Sequence, residues 1–283
     1  MVQISALRCN PQIIQGSALG AARPGFKIER PNIPNQYVQQ FSFREVWLKN
    51  GSIRLQCVVS GWDSPSSLTP VVYPHIGFGT AEVFIPEMKA LSPRRCVACS
   101  LRGRGNSDAP EAGYSFEENV SDIDAVVNHL TFDRICVMGF SLGVTYSIAY
   151  AAQHPELVSG LVLLDYPARY PKFSAGWAER WSSEPSIKDN PDRMRGMRGL
   201  ERESTEVLLW DKLDAIESPI LLIGGCAEGA LLKPEHVEKY RQHCRNLEVA
   251  IFPNSGHMVW QPDYDRFISR VNKFLDYIDD QRR

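Results

Sequence analysis

Five residues constrain this chain more than any other stretch: Gly139-Phe140-Ser141-Leu142-Gly143. An apolar run over residues 134–138 precedes them and reads as a buried strand. Residues 144–153 follow and read as a helix of small and apolar side chains. A turn this tight between strand and helix leaves almost no room for side chains beside the serine, which is why glycines bracket it. Strand, G-x-S-x-G and helix together predict a nucleophile elbow, with the Ser141 hydroxyl held in a cleft at the positive end of a helix. The plainer alternative is a serine that only shapes a turn.

The rest of the chain keeps the same rhythm. Strands are predicted at 44–48 and 53–59, joined by the hairpin signal Asn50-Gly51. Further strands are predicted at 70–73, 95–100, 161–164, 220–223 and 247–252. Helices are predicted at 81–91 and 234–244. Ser115-Phe116-Glu117-Glu118 reads as a capping box that opens a helix running to about Leu130. Tyr264, Phe267, Ile268, Val271, Phe274, Leu275 and Ile278 keep helical spacing in a last helix. A hairpin followed by alternating strands and helices predicts an α/β fold, with a mostly parallel sheet covered on both faces.

Two regions break the rhythm. Residues 1–42 carry Pro11, Pro24, Pro31 and Pro34 with little periodicity. They read as an irregular arm that lies on the domain, reaches a partner subunit or takes no fixed structure. Residues 167–214 hold Phe173, Trp177, Trp181, Met194 and Met197 but no obvious sheet strand. They are expected to form a small helical lid over the strand ends, where open α/β sheets put their ligands. The core would then comprise 43–166 and 215–283.

A chain of 283 residues with 43% hydrophobic residues can bury a sizeable core. Its net charge of −2 argues against a nucleic-acid or membrane-surface footprint. No apolar run reaches the roughly 18 residues of a membrane span, and no secretory signal is visible at the start. The seven cysteines are scattered, and the one C-x-x-C, Cys96 to Cys99, lies in a predicted strand without a second pair to complete a zinc site. A reduced, cytoplasmic protein that needs no metal or cofactor is expected.

A serine hydroxyl needs a base to attack at neutral pH. His129, His154, His236 and His243 fall in or at the ends of predicted helices. His257 lies in a loop just past the last strand, at the sheet edge expected for Ser141, and is the predicted general base. Its imidazole needs an acid to fix the tautomer. Glu228 follows the strand at 220–223 by a short turn, and Asp165 directly follows the strand at 161–164. Both satisfy the order serine, acid, histidine.

These motifs, in this order over about residues 43–283, resemble the α/β-hydrolase superfamily. In that family the acid most often follows the strand after the lid, in a G-x-x-D/E turn. Gly225-Cys226-Ala227-Glu228 matches that turn, so the resemblance favours Glu228 over the alternative, Asp165. It also implies an oxyanion hole made by the Leu142 N–H and by a loop after the third predicted strand. There, His75-Ile76-Gly77-Phe78-Gly79 aligns in two ways, making either Gly77 or Phe78 the second donor, with His75 a brace for the loop. Arg102-Gly103-Arg104-Gly105-Asn106-Ser107 looks like the family's R-G-x-G-x-S loop beside the active site.

The expected function is a serine hydrolase of the carboxylic-ester type, cleaving an ester, lactone or thioester of a small or medium acyl substrate through an acyl-enzyme on Ser141. The same triad also serves C–C bond hydrolysis and acyl transfer, and a non-catalytic relative would only bind a small molecule. Trp177 and Trp181, spaced to share a helix face, and Phe78 are candidates to line the acyl pocket. The arginines at 193, 195, 198 and 202 either meet an anionic substrate or pair with neighbouring glutamates. No nucleic-acid or membrane partner is expected. A homodimer would form through the arm or the lid.

Overall fold

The computed structural model describes residues 41–63, 66–74, 77–185 and 187–281, so the arm expected over 1–42 lies almost wholly outside the described residues. Regular structure opens with a hairpin of β1 (Phe43–Asn50) and β2 (Ile53–Ser60), closed where Asn50 pairs with Ile53 across Gly51-Ser52. Then come β3 (Val71–Tyr73), a 3-10 turn leading into α1 (Ile85–Ala90), β4 (Cys96–Cys99) and α2 (Phe116–Leu130). The elbow region follows as β5 (Ile135–Phe140), α3 (Gly143–Gln153) and β6 (Val158–Leu164). The α2 capping box is present: the Glu118 N–H donates to Ser115 Oγ, and the Ser115 N–H donates to the Glu118 carboxylate.

An insertion then carries β7 (Arg169–Tyr170), α4 (Trp177–Arg180), α5 (Pro191–Glu203), β8 (Val207–Leu208) and α6 (Trp210–Leu213). The chain returns to the sheet with β9 (Ile220–Gly225), α7 (Pro234–His243), β10 (Leu247–Phe252) and α8 (Tyr264–Asp280).

Eight strands form one sheet in the order β1-β2-β4-β3-β5-β6-β9-β10. The β1–β2 and β2–β4 pairs are antiparallel, and every pair from β4 onward is parallel. Side chains alternate across this sheet, as strand geometry requires. Cys136, Met138 and Phe140 of β5 pack on one face with α1 and α8. Ile135 and Val137 pack on the other with α2, α3 and α7. Both faces of β5 and β6 are therefore buried, and all 13 of their residues are enclosed. The near-continuous apolar spelling of these strands follows from that double covering. Cys96 and Cys99 of β4 are free thiols inside this core, and burial pushes Cys96 up to about 12.

The insertion has a separate apolar core of Tyr114, Trp177, Ala178, Trp181, Ile187, Met197 and Leu200. The sequence predicts a helical insertion, but it also holds a strand pair: β7 and β8 pair antiparallel, with Arg169 opposite Leu208 and Tyr170 opposite Val207. Strands of two residues are too short to show a period, and this pair clasps the two ends of the insertion together. The arginine run is spent on protein contacts. Arg193 Nε donates to the Gly105 carbonyl, Arg195 pairs with Asp192 and Glu111, Arg198 with Glu179, and Arg202 with Glu203. Among the described residues, no helix is long and apolar enough to cross a membrane.

Candidate active site

β5 ends at Phe140, and the chain reverses into α3 within two residues. A Cβ on Gly139 would stand 2.4 Å from Ser147 Oγ and 2.6 Å from the Gly143 carbonyl oxygen, so this crossing requires glycine. Ser141 itself sits at φ +54°, in the left-handed region that few L-residues adopt. The strain is held by two backbone bonds. The Ser141 N–H donates to the Leu164 carbonyl at 3.2 Å, and the Val144 N–H donates to the Ser141 carbonyl at 3.0 Å.

His257 lies in the loop between β10 and α8 and is 8% exposed. Its ring packs at 4.7 Å from that of Phe140, the residue before the serine. Nε2 is 3.0 Å from Ser141 Oγ, and Nδ1 is 2.8 Å from Asp165 Oδ2. Ser141 and His257 thus stand within hydrogen-bonding distance of each other.

Of the two acids that the sequence offers, the alternative Asp165, and not the favoured Glu228, stands against the histidine. Asp165 is fully buried and follows β6 directly, at φ +48°. Its carboxylate accepts from the backbone N–H groups of Gly225 (3.1 Å), Leu231 (2.8 Å) and Leu232 (3.3 Å) as well as facing His257. Gly225 ends β9, and Leu231 and Leu232 belong to the loop after it, the same loop that carries Glu228. The loop wraps the aspartate with its backbone and leaves the Glu228 side chain exposed. Its inner side meets the histidine loop through main-chain contacts. The Cys226 and Ala227 N–H groups both donate to the Ser255 carbonyl at 2.9 Å, and the Glu228 carbonyl backs onto Gly256. One signal could have found Asp165. A single helix joins β5 to β6, so these strands are expected to be neighbours, whereas β9 lies one strand farther from the serine.

A carboxylate that accepts three N–H bonds has acceptor capacity and nothing to donate. A neutral imidazole that donates Nδ1–H to this carboxylate presents its Nε2 lone pair to Ser141 Oγ. Leu142, the residue after the serine, caps the N-terminus of α3. Gly77 lies across from it, its Cβ direction 4.0 Å from the Leu142 side chain. The N–H groups of Leu142, Gly77 and Phe78 find no acceptor among the described residues. The brace expected of His75 falls outside the described residues.

Trp177 and Trp181 do not form an open face. Both are buried in the insertion core, with Trp177 stacked on Phe173 at 4.0 Å and Trp181 against Phe78 at 4.4 Å. The Phe78–Trp181 contact ties the insertion to the loop facing Leu142. The R-G-x-G-x-S loop is tied in as well, for Arg102 grips the buried Asp122 through Nε (2.9 Å) and Nη2 (2.7 Å), and the Gly105 N–H donates to the Gly79 carbonyl at 3.2 Å.

A parallel sheet doubly covered by helices, with a serine elbow after its fifth strand, defines a hydrolase of the α/β class. Comparison with known proteins agrees. Residues 69–184 match the model of the alpha/beta hydrolase fold family. An N-formylmaleamate deformylase of Pseudomonas putida is 26% identical over 217 residues, covering 62% of this chain and 77% of the relative. A 2-(acetamidomethylene)succinate hydrolase of Mesorhizobium japonicum is 38% identical over 85 residues, 30% of this chain and 31% of that protein. The crystal structure of an E-2-(acetamidomethylene)succinate hydrolase superposes with a TM-score of 0.63 at 22% identity, covering 83% of this chain and all of that one. The chain has the α/β-hydrolase fold, with the family match itself confined to residues 69–184, and it is an enzyme of that kind.

Proposed function

We propose that this protein is a serine hydrolase that cleaves an ester, lactone or thioester of a small or medium acyl substrate. The observation that carries this reading is the unbroken chain from Ser141 Oγ through His257 to Asp165, at 3.0 and 2.8 Å. Ser141 attacks the carbonyl while His257 takes its proton on Nε2. Asp165 holds the ring and stabilises the imidazolium, and its own backbone donors keep it from turning away. The oxyanion that forms is met by the Leu142 N–H and by that of Gly77 or Phe78, each such donor contributing about 2.7–4 kcal/mol to the transition state. His257 then returns its proton to the leaving group. The acyl group remains on Ser141 until water, activated by the same histidine, releases it.

The relatives support a second reading with the same residues. One is named as a deformylase of an N-formyl compound, so attack on an N-acyl carbonyl is within the reach of a constellation like this one. The distinction lies in the leaving group, since an amine must receive the proton of His257 before it departs.

A fluorophosphonate probe tests the shared first step. It is expected to label the wild-type protein at Ser141 and to leave folded Ser141→Ala unlabelled. Folded wild-type protein that takes no label, and turns over neither p-nitrophenyl esters nor N-formyl amides, would end the hydrolase reading. Turnover of the amides alone would establish the second reading over the first.

A further inference from the structure

We infer that Arg104 is the anchor for a carboxylate carried by the substrate, so that the natural substrate is an acid as well as an acyl compound. The inference rests on the hydrolase reading above and names its substrate class. Two arginines stand two residues apart in the loop after β4, and both are buried, Arg102 at 7% and Arg104 at 2% exposure. Arg102 is neutralised by Asp122 through the edge formed by Nε and Nη2. Arg104 has no carboxylate within ion-pairing distance among the described residues.

Arginine cannot shed its proton to escape burial. An uncompensated buried charge costs several kcal/mol, so its retention calls for a counter-ion. The donors of Arg104 show where that counter-ion fits. Nη1 has two hydrogens and two acceptors, the Arg102 carbonyl and the Asn119 side-chain oxygen. Asn119 is itself held by donating to the Tyr114 and Ser115 carbonyls. The other edge is nearly unspent. Nη2 gives one long bond of 3.3 Å to the Tyr146 hydroxyl, and the buried Nε gives none. This is the same edge with which Arg102 binds a carboxylate side-on, the geometry that suits guanidinium best.

The surroundings supply further donors, and the acid that acts on Tyr146, Asp122, is already held by Arg102. The Tyr170 hydroxyl is buried without a partner at hydrogen-bonding distance, and its ring lies 5.8 Å from that of Tyr146. Burial raises both phenols above their ordinary range, so each keeps a proton to donate. The cluster is also near the chemistry. Tyr146 stands in the first turn of α3, about 4.5 Å along the axis from its first residue, and the next residue after Arg104 is bonded to Gly79 of the loop facing Leu142. Tyr170 belongs to the insertion, so the insertion forms one wall. The proposal therefore seats the substrate's carboxylate on this edge and its scissile carbonyl at Ser141.

The test compares p-nitrophenyl hydrogen glutarate with p-nitrophenyl valerate, which lacks the terminal charge. Wild-type protein is expected to favour the glutarate half-ester by about tenfold or more in kcat/KM, as a site built to bind a polar group does. In Arg104→Gln the preference should collapse toward one, mainly through KM. Tyr170→Phe, which keeps the ring, should lower it by a smaller factor. Free glutarate is the second probe: it should raise the Tm of the wild type, slow fluorophosphonate labelling of Ser141, and do neither in Arg104→Gln. A wild type that labels at Ser141 and shows no preference between the esters would overturn the anion site while leaving the hydrolase reading intact. If Ser141 takes no label and neither ester is cleaved, the hydrolase reading falls, and the glutarate shift in Tm decides the anion site. Should Arg104→Gln not fold, an undiminished preference in Tyr170→Phe together with no glutarate effect on the wild type counts against it.

Discussion

The ends of β6 and β9 lie side by side in the sheet, each followed by an acid, and the protein uses them in opposite ways. Asp165 is wholly buried, strained at its backbone and surrounded by N–H donors, whereas Glu228 is exposed. The difference shows that a strand-end carboxylate is fixed toward a partner by the main chain that encloses it. The loop after β9 contributes its backbone to Asp165, and once its N–H groups turn inward its glutamate side chain is directed outward.

The sharpest way to break this comparison is to neutralise each acid in turn. Asp165→Asn is expected to lower kcat by about 10³- to 10⁴-fold, since an amide cannot hold the histidine in the productive tautomer. Retention of most activity in Asp165→Asn, with loss in Glu228→Gln, would reverse the assignment. Next in size is Gly225→Ala. Its Cβ would stand 2.3 Å from the carbonyl oxygens of Ser255 and Gly256, forcing apart the loops that carry the histidine and the donors to Asp165. We expect a loss of about 1–3 kcal/mol in denaturant unfolding, accompanied by reduced kcat. A neutral effect on both would show that the two loops adjust independently.

A third acid sharpens the contrast by pH. Burial pushes the Asp279 carboxyl up, but hydrogen bonds from Arg94 and the Thr69 N–H outweigh this and hold it below the usual range. Its contribution is therefore present above the unfolded carboxyl pKa of about 3.9 and is lost as pH falls through the lower folded value. The gap in unfolding free energy between wild type and Asp279→Asn should be constant near neutrality and should close in acid. The smallest effect is expected from Glu228→Gln, within about twofold in kcat and about 0.5 kcal/mol in stability, as for an exposed side chain without a partner.

Much of the fold was legible because each signal acts over a few residues. The capping box at Ser115 opens α2, β10 has the predicted bounds, and the elbow falls between β5 and α3. Ser141 and His257 were legible for a related reason: each sits at a strand end, and a parallel sheet carries all such ends to one edge. Asp165 was not preferred because two acids met the same requirement of order, and the choice depends on which strand adjoins β5 and on how a loop about 60 residues later folds. The β7–β8 clasp was missed because two residues carry no period. That Arg104 has no carboxylate partner among the described residues was not legible because both arginines of its loop are spelled alike.

By itself the sequence determined the strand and helix order, the elbow and the histidine that answers it, because periodicity, capping and glycine sterics are local. Only the tertiary structure decided which acid faces the histidine, how the insertion is clasped, and which of two neighbouring arginines has no counter-ion among the described residues. Those outcomes depend on burial and on hydrogen bonds between segments far apart in the chain, where the cost of an unpaired polar group selects the partner.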